Sequence, residues 1–366
     1  MLRVFESVFG KCVSLFEVDY ESDVVIPLSA VEEFITLVTN SDIELIPPHV
    51  KNLCTSISSP ICNWPVLVSG SMRKEVIEQQ QARLTKALAD NHNYFKTWLK
   101  VRSFLDSLEA FQLDTPKLRQ VVGDKRTNTL IGRAKAVRPV YTTAGTATGR
   151  LTITAGPNFL VLPKPARKCI LRSLSSSTIY SIDFTSLEPR VSLWTSNKSV
   201  NEQDIYKNVM LMCNVSDREV AKLATLSALY GAGVNRLAGM VKDRTVAKDI
   251  LARVSDYFSV SELNKRLSAA AIESGVKNNF GRPLFEATKT KRLRVNHFVQ
   301  STAAELAILL FANLCQGFPQ VRPLLVIHDA LIVEVPDEIH DSFIQACNEI
   351  TYEGFSFPTK QDVLDN

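Results

Sequence analysis

The chain has 366 residues, 45% hydrophobic and 22% charged side chains, and a net charge of +4, an ordinary composition for a globular protein of two or three domains. Seven cysteines without CxxC or Cys/His spacing argue against structural zinc and favour reduced thiols in a cytoplasmic setting. We see no apolar span of 18 residues, and Glu6 and Lys11 interrupt the N-terminus, so we expect neither a membrane segment nor a signal peptide.

The first 66 residues carry few clear signals. Residues 13–20 predict a strand and residues 30–38 a short amphipathic helix, and prolines at 47, 48, 60 and 65 predict loops. Residues 71–111 then predict two antiparallel helices, because apolar residues recur at helical spacing on both sides of a break near Asp90 and Asn91.

A basic cluster follows the predicted helices. Such a cluster can follow a phosphate backbone, or it can be an ordinary solvated face, and the sequence leaves both interpretations open. Its members between residues 117 and 138 are Lys117, Arg119, Lys125, Arg126, Arg133, Lys135 and Arg138. Residues 141–163 are rich in glycine and threonine, which permit close backbone approach to a ligand around Arg150 but are also typical of a plain loop.

An apolar strand at residues 178–182 ends at Asp183, and a helix begins near Leu187. An aspartate at this place most often caps the next helix. The helix predicted at 216–229 begins with Ser216 and Glu219, a capping box. Four residues share one of its faces by their fourth-residue spacing, namely Arg218, Lys222, Leu226 and Tyr230. This face can align cations along a polyphosphate, although a solvated face is the commoner explanation.

Residues 240–275 also predict helix, and residues 324–335 form an apolar run interrupted only by His328 and Asp329. This pattern predicts a β-hairpin with His-Asp at its tip, followed by a helix and a short tail over 337–366. A charge in such a run is costly unless it is paired or bound to metal. Asp183 and Asp329 on neighbouring strands would form an oxygen site for Mg²⁺, so the sequence favours phosphoryl or nucleotidyl transfer.

Five blocks together resemble the family A DNA polymerases. TATGRL at 146–151 resembles the primer-binding motif, DFTSLEPR at 183–190 motif A, and VIHDALIVEV at 326–335 motif C. Arg218-x-x-x-Lys222 with LYG at 229–231 resembles motif B, and NHFVQSTAAEL at 296–306 resembles the helix before motif C. The blocks follow the family's order over residues 141–335. They are jointly specific, although each alone would be weak.

The resemblance implies an α+β fold, a right-hand polymerase with an antiparallel-sheet palm, helical fingers and a reduced helical thumb. The domains it implies are a small N-terminal accessory region (1–66), a thumb-like helical region (67–140), the first part of the palm (141–215), the fingers (216–290) and the second part of the palm (291–366). The accessory region could equally be a docking surface.

The resemblance also implies roles for individual residues. The catalytic residues would be Asp183, Asp329 and Lys222, with two Mg²⁺ ions, or Mn²⁺ as a substitute, bound by both aspartates and the Phe184 carbonyl. The dNTP would contact Arg218, Lys222, Leu226, Tyr230, Glu188 and Tyr206. Glu188 would close the sugar pocket against a 2′-hydroxyl. Primer and template would contact Arg150, Asn158, Arg292, Asn296, Gln300 and His328.

Four departures from the family pattern stand out. Leu226 replaces an aromatic residue, Ala330 replaces a second acid, Tyr206 stands where a phosphate-contacting histidine is usual, and Leu160-Val161 replaces a polar pair. We expect weaker dNTP stacking from the first of these changes.

The function implied is template-directed DNA polymerisation, in which a primer 3′-hydroxyl attacks a dNTP and pyrophosphate leaves. Asp19-x-Glu21 is the only hint of a proofreading exonuclease, and we reject it because no further exonuclease motif is present. The expected partners are primer–template DNA and dNTPs, with a separate exonuclease, helicase or processivity subunit as further candidates.

Two alternatives stay open: a catalytically degenerate DNA-binding subunit, and a single-subunit RNA polymerase, against which Glu188 counts. The compact size and LYGAG (229–233) suggest a phage type, in which case the location is the host cytoplasm; otherwise it is the bacterial cytoplasm.

Overall fold

The computed structural model describes residues 1–9, 11–40, 46–131, 137–200, 204–231 and 233–364, without the side chain of Cys62. The chain divides into two compact units. The N-terminal unit comprises Met1–Trp98 and Gly281–Pro283, and the larger unit comprises Leu99–Phe280 and Leu284–Asn366. The division at Trp98 falls inside a long helix, within the region that the sequence assigns to a thumb. The domain boundaries from the sequence stay predictions.

The N-terminal unit combines a three-stranded sheet with helices. Its elements are β1 (Leu2–Val8), β2 (Lys11–Val18), β3 (Val24–Pro27), α1 (Leu28–Thr39), α2 (Pro48–Ser56), α3 (Trp64–Leu67) and most of α4 (Gly70–Ser107). The strand order is β2-β1-β3, with β1 antiparallel to β2 and parallel to β3. The predicted strand and helix are confirmed as β2 and α1. Pro48 opens α2 instead of a loop, because the first helical turn does not need its missing N–H.

Helix α4 is interrupted at a single residue. Asn91 is its one non-helical residue, with φ −138° and ψ 31°, so the predicted break is confirmed. The predicted antiparallel hairpin is wrong, because helix continues on both sides without an intervening loop. The Asn91 side-chain amide donates to the Ala87 carbonyl at 3.1 Å, which satisfies an acceptor that the distorted turn would otherwise leave open.

The larger unit contains a central sheet and most of the helices. Its first elements are β4 (Gln112–Leu113), α5 (Thr115–Val122), α6 (Asp124–Ile131), β5 (Val140–Thr142), β6 (Thr152–Ala155), β7 (Ile170–Leu171), β8 (Ser177–Phe184), α7 (Leu187–Trp194), α8 (Ile205–Cys213) and α9 (Arg218–Tyr230). Then follow α10 (Val234–Val241), α11 (Arg244–Tyr257), α12 (Val260–Glu273), α13 (Phe285–Lys289), α14 (Arg294–Gly317), β9 (Arg322–Ile327), β10 (Ala330–Pro336), α15 (His340–Asn348), β11 (Thr351–Tyr352), β12 (Phe355–Ser356) and β13 (Thr359–Val363).

The basic cluster lies mainly on α5 and α6. Lys117 donates to the Lys168 carbonyl, Arg119 pairs with Asp124, and Arg138 donates to the Asp106 carbonyl. Lys125 and Arg126 are exposed on α6, and Arg133 and Lys135 lie outside the described residues. At least three members of the cluster therefore have structural partners, and the proposed contact with a phosphate backbone stays a prediction.

The central sheet has the order β13-β8-β10-β9, and all of its neighbours are antiparallel. Every residue of β10 is buried, and β8 is buried except at two positions, which explains the continuous apolar runs in both. The predicted hairpin is confirmed by β9 and β10. The predicted short tail is wrong, because residues 359–363 form β13 and extend the sheet beside β8.

Helix α14 packs fourteen buried residues into the core of the larger unit. Within the stretch Lys291–Gly317, a window of 18 residues has a mean hydropathy of 1.5, so by length and composition this helix could cross a bilayer, which the sequence analysis overlooked. However, 72% of that window is buried inside the protein. Burial of this extent is the pattern of a core helix, and one such helix is weak support for a membrane segment.

Candidate active site

Two aspartates meet at one end of the central sheet. Asp183 is the penultimate residue of β8, and its partner in the register is Ala330, the first residue of β10. Asp329 therefore follows directly at the hairpin tip. The Phe184 N–H donates to the Asp329 carbonyl at 3.2 Å, so main-chain pairing fixes both aspartates relative to each other. The sequence-predicted pair is brought together.

The hairpin tip is tight. His328 has a φ of +58°, the left-handed region that few non-glycine residues adopt, and its side chain is exposed. This turn puts Asp329, rather than an apolar neighbour, at the end of the sheet. In an antiparallel strand the N–H and C=O of one residue point the same way, so the Phe184 carbonyl also points toward the tip. Phe184 itself stacks on Phe311 with ring centroids 4.9 Å apart.

The electrostatics of this end of the sheet are unfavourable for anions. Burial and the charge of Asp329 raise the pKa of Asp183 to about 6. Burial also raises the pKa of Asp329, and burial raises the pKa of Glu188 against the opposing charge of Arg150. Three carboxyl groups with raised pKa values at one place are typical of a site that gains from a bound cation.

A buried acid within β10 provides a contrast. Glu334 is fully buried, yet it accepts hydrogen bonds from the Ser173 and Leu174 N–H groups and from Ser177, and it pairs with Arg322. Although burial opposes them, these partners hold the pKa of Glu334 below its ordinary range. A buried carboxylate in this strand can therefore be supplied with hydrogen-bond partners and a counterion. The raised pKa values of the acids at the other end of the strand thus reflect the arrangement of the site and not burial in the sheet as such.

The turn between β8 and α7 shapes the next wall. Ser186 has a φ of +55° and precedes α7, whose first turn carries Glu188. Glu188 accepts a hydrogen bond from Arg150 at 2.5 Å. Arg150 comes from the loop between β5 and β6 and is half exposed, whereas Glu188 is 17% exposed. The predicted sugar-pocket acid and the predicted primer-contacting arginine thus form one ion pair.

Helix α9 supplies another wall. It begins at Arg218, and its N-cap is Asp217, whose side chain accepts from the Glu219 N–H at 2.8 Å. The predicted Ser216 cap is therefore wrong by one residue. Arg218, Lys222 and Leu226 all line the same cavity, as their fourth-residue spacing predicts.

Arg218 has partners on α8. Its Nε donates to Asp204 Oδ2 at 2.9 Å and its Nη2 to Asp204 Oδ1 at 3.4 Å. Its Cζ lies 4.8 Å from the centroid of the Tyr206 ring, a cation–π contact. The Tyr206 side chain is hydrogen-bonded to Ser186 and is only 6% exposed. Tyr206 therefore lies under the arginine, and its contact with the dNTP stays a prediction.

These walls enclose a cavity of about 550 Å³. Nine of the sequence-predicted site residues line it, namely Arg150, Glu188, Tyr206, Arg218, Lys222, Leu226, Gln300, His328 and Asp329. Its floor is formed by small residues of α14, namely Ala303, Ala304 and Ala307. Two acids, Glu188 and Asp329, and three cations, Arg150, Arg218 and Lys222, thus line one cavity. Asp183 lies directly beside it through its pairing with Ala330.

Besides Asp183 and Phe184, four predicted residues do not line the cavity. Asn158 caps a 3₁₀ helix at 159–161 by accepting from the Leu160 N–H, and Tyr230 ends α9 against its apolar cluster. Arg292 is exposed on a 3₁₀ turn, so it does not continue the helical face of Asn296 and Gln300. The Asn296 Oδ1 atom is buried without a hydrogen-bond partner among the described residues. Contacts of Asn158, Arg292 and Asn296 with primer or template, and of Tyr230 with the dNTP, stay predictions.

Sequence reasoning missed two groups near the site. Arg167 and Lys164, on the 3₁₀ helix Lys164–Cys169, lower the pKa of Asp183 against its burial and its neighbour's charge. The second is Asp204, to which the sequence analysis assigns no role. Its signal was available, since an aspartate before a helix of apolar residues is a typical N-cap, but nothing local indicates its bond to Arg218.

The residues present fit a divalent cation of the Mg²⁺ type. Within the described ranges, no group of three or more His, Cys, Asp or Glu side chains could hold a metal ion. Mg²⁺ commonly binds through one or two carboxylates, with water and substrate phosphates completing its shell. Asp183, Asp329 and the Phe184 carbonyl provide this smaller set, and the raised pKa values of the two carboxyl groups show that burial outweighs the effect of the nearby cations.

Comparisons with known proteins agree with this geometry. The model of DNA polymerase family A matches residues 113–361. No curated protein matches the sequence. Among solved structures, the fold is similar to the POL domain of Pol1 from M. smegmatis in complex with DNA primer-template and dNTP, with a TM-score of 0.51 and 18% identity. The match covers 92% of this chain and 63% of that one. The predicted α+β polymerase fold with an antiparallel sheet is confirmed.

Proposed function

The chain belongs to DNA polymerase family A, and we propose that it extends a primer 3′-hydroxyl by template-directed addition of dNTPs. The structurally similar Pol1 domain was solved with DNA primer-template and dNTP, which supports the same ligands here. Since this chain spans 63% of that domain's length, its activity and ligands are our proposal.

One observation carries the proposal: carboxylates and cations line a single cavity. Asp329 lines it, with Asp183 next to it in the sheet, and Arg218 and Lys222 line it from α9. A triphosphate needs cations along its length, and its α-phosphate must lie beside the acids for transfer to occur.

Each residue of the site would have its own role in the reaction. Asp183, Asp329 and the Phe184 carbonyl would hold Mg²⁺, which when bound would activate the primer hydroxyl and stabilise the departing oxygen. Arg218 and Lys222 would bind the phosphates, and Lys222 would supply a proton to pyrophosphate as it leaves. His328, exposed at the hairpin tip, would contact the primer terminus.

Selection of the sugar would fall to Glu188. Its carboxylate lines the cavity near the turn that also carries Asp183, and Arg150 fixes its orientation. A ribonucleotide would place its 2′-hydroxyl against this wall, where it would lose water without gaining a well-placed partner. We therefore propose dNTPs rather than rNTPs as substrates.

The test is primer extension with Mg²⁺, using dNTPs and rNTPs separately, and comparing the wild type with Asp329→Ala. Asp337→Asn, which changes an exposed aspartate after β10, is the matched control. We expect dNTP extension by the wild type and the control, and a loss of at least 10³-fold in Asp329→Ala, by analogy with loss of an essential catalytic group. Tight primer–template binding without extension by the wild type would instead indicate the degenerate DNA-binding subunit.

The proposal includes no proofreading by these 366 residues. The test incubates the wild type with a primer that has a mismatched 3′ end, in the absence of dNTP. We expect the primer to stay intact, and release of its terminal nucleotide would contradict the proposal. A separate exonuclease, helicase or processivity subunit and a cytoplasmic location stay predictions.

A further inference from the structure

Asp204 has no part in the roles above, although its carboxylate contacts Arg218, one of the three cations that line the cavity. Its Oδ1 accepts from the Tyr206 N–H at 3.0 Å and so caps helix α8. The same carboxylate accepts two hydrogen bonds from Arg218 at the start of α9. One side chain therefore joins the N-termini of two helices that pack against each other.

The geometry leaves Arg218 able to bind a second anion. A guanidinium has five N–H groups, and Asp204 takes one from Nε and one from Nη2. The other three belong to Nη1 and Nη2, and Asp204 is the only recorded acceptor for Arg218 within the part of the chain that the structure describes. A phosphate can bind at that edge in the bidentate manner that arginine favours.

The other contacts of Arg218 fix its plane. The Tyr206 ring lies under the guanidinium, and the Tyr206 side chain is held in turn by Ser186, which follows the strand of Asp183. A long arginine side chain that is 47% exposed would otherwise sample many rotamers, and ordering them on ligand binding costs affinity. Asp204 and Tyr206 remove much of this freedom before a ligand arrives.

Building on the proposed function, we propose that Asp204 is a positioning residue that holds Arg218 in the orientation that binds the dNTP phosphates. It touches neither substrate nor reacting atoms and acts through Arg218 alone. The opposite role, in which Asp204 competes with the phosphates for Arg218, is disfavoured by the three N–H groups that its pairing leaves open.

Three substitutions separate the cap from the charge. Asparagine and serine cap helices about as well as aspartate, so Asp204→Asn and Asp204→Ser keep the cap of α8 and remove the charge. Asp204→Ala removes both. The matched control is Asp249→Asn, which breaks an aspartate–arginine pair on α11, Asp249 with Arg253 at 2.9 Å, where both side chains are more than half exposed.

The first readout is single-nucleotide incorporation with separate kcat and KM values. The second is calorimetric titration of dNTP into enzyme bound to a dideoxy-terminated primer–template with Mg²⁺, where no chemistry follows. For Asp204→Asn we expect KM and the dNTP dissociation constant to rise about tenfold, the lower end of what loss of a supporting partner costs a ligand-binding side chain. Asp204→Ser should behave alike, the control should match the wild type, and kcat should change little, since binding is what is lost.

The decisive comparison uses an Arg218→Ala background. If Asp204 acts through Arg218, Asp204→Asn should add no further rise there, because the side chain it positions is gone. An unchanged or tighter dissociation constant in the single variant would overturn the proposal, as would a full tenfold rise in the Arg218→Ala background. A wild type that neither incorporates nor binds dNTP would refute the proposed function itself, and the role of Asp204 with it.

Discussion

Asp183 carries a stability cost that its substitution should reveal. Its pKa is about 6 in the fold and 3.8 in an unfolded chain, because burial and Asp329 disfavour its charge. At 1.36 kcal/mol per pKa unit, this difference corresponds to about 3 kcal/mol at neutral pH. The carboxylate is partly solvated, and part of this free-energy cost is its repulsion from Asp329, so the full value overstates the cost of Asp183 alone. We therefore expect Asp183→Asn to stabilise the protein by about 1–2 kcal/mol at pH 7.5.

The sign follows from proton binding. Between about pH 3.8 and 6, the folded protein binds a proton at Asp183 that the unfolded chain does not, so this group makes stability fall as pH rises through that window. Above pH 6 the cost is fully present, and near pH 4 it is nearly gone. The advantage of Asp183→Asn should therefore be largest at pH 7.5 and vanish near pH 4.

The assay is thermal unfolding at both pH values, with Asp337→Asn as an exposed-aspartate control. A gain of 1–2 kcal/mol in a unit of this size is a rise in Tm of about 2–8 °C, whereas the control should change stability by less than about 0.5 kcal/mol. Mg²⁺ should stabilise the wild type and not Asp183→Asn, since only the wild type retains both carboxylates. A variant no more stable than the wild type at pH 7.5 would refute the reasoning.

Three further changes test other parts of the structure. Leu226→Phe should lower the KM for dNTP about two- to tenfold in single-nucleotide incorporation, because a ring in the cavity wall adds stacking of about 0.5–1.5 kcal/mol; comparable values would contradict this. Glu188→Ala should raise the rNTP/dNTP ratio of kcat/KM about 10–100-fold, and an unchanged ratio would remove Glu188 from sugar selection. Tyr141→Phe should lower the free energy of unfolding in urea by about 1–3 kcal/mol. The buried Tyr141 hydroxyl donates to the Val326 carbonyl at 2.6 Å and accepts from the Val326 N–H at 3.1 Å on the edge strand β9. An unchanged free energy of unfolding would contradict this stabilising role.

The acidic half of the site was predictable because its signal is local. A polar pair inside an apolar run has few stable explanations, and the hairpin tip at His328 and Asp329 is one of them. Asp183 gives the same kind of local signal, because it is a charged residue at the end of an apolar strand. Pairing of the two strands then follows from the antiparallel register, which brings Asp183 opposite Ala330.

The errors have physical causes of equal interest. β13 reads TKQDV, a polar segment with no apolar face, and it is a strand only because β8 offers it an open edge. Ser216 and Asp217 are both good caps, and spacing cannot choose between them. The break at Asn91 was visible, but whether the chain turns or continues depends on bonds such as Asn91 to Ala87 that a pattern does not contain.

The two halves of the cavity also differ in how they are held. Main-chain hydrogen bonds fix the acids, as in Phe184 N–H to the Asp329 carbonyl, so changes of neighbouring side chains cannot easily shift them. The cation Arg218 depends on two side chains, Asp204 and Tyr206, from another helix. Affinity for the phosphates should therefore respond to substitutions that touch no ligand, whereas the acids should be lost only by changing the acids themselves. This division explains why sequence motifs locate the acids readily and the support of the cations hardly at all.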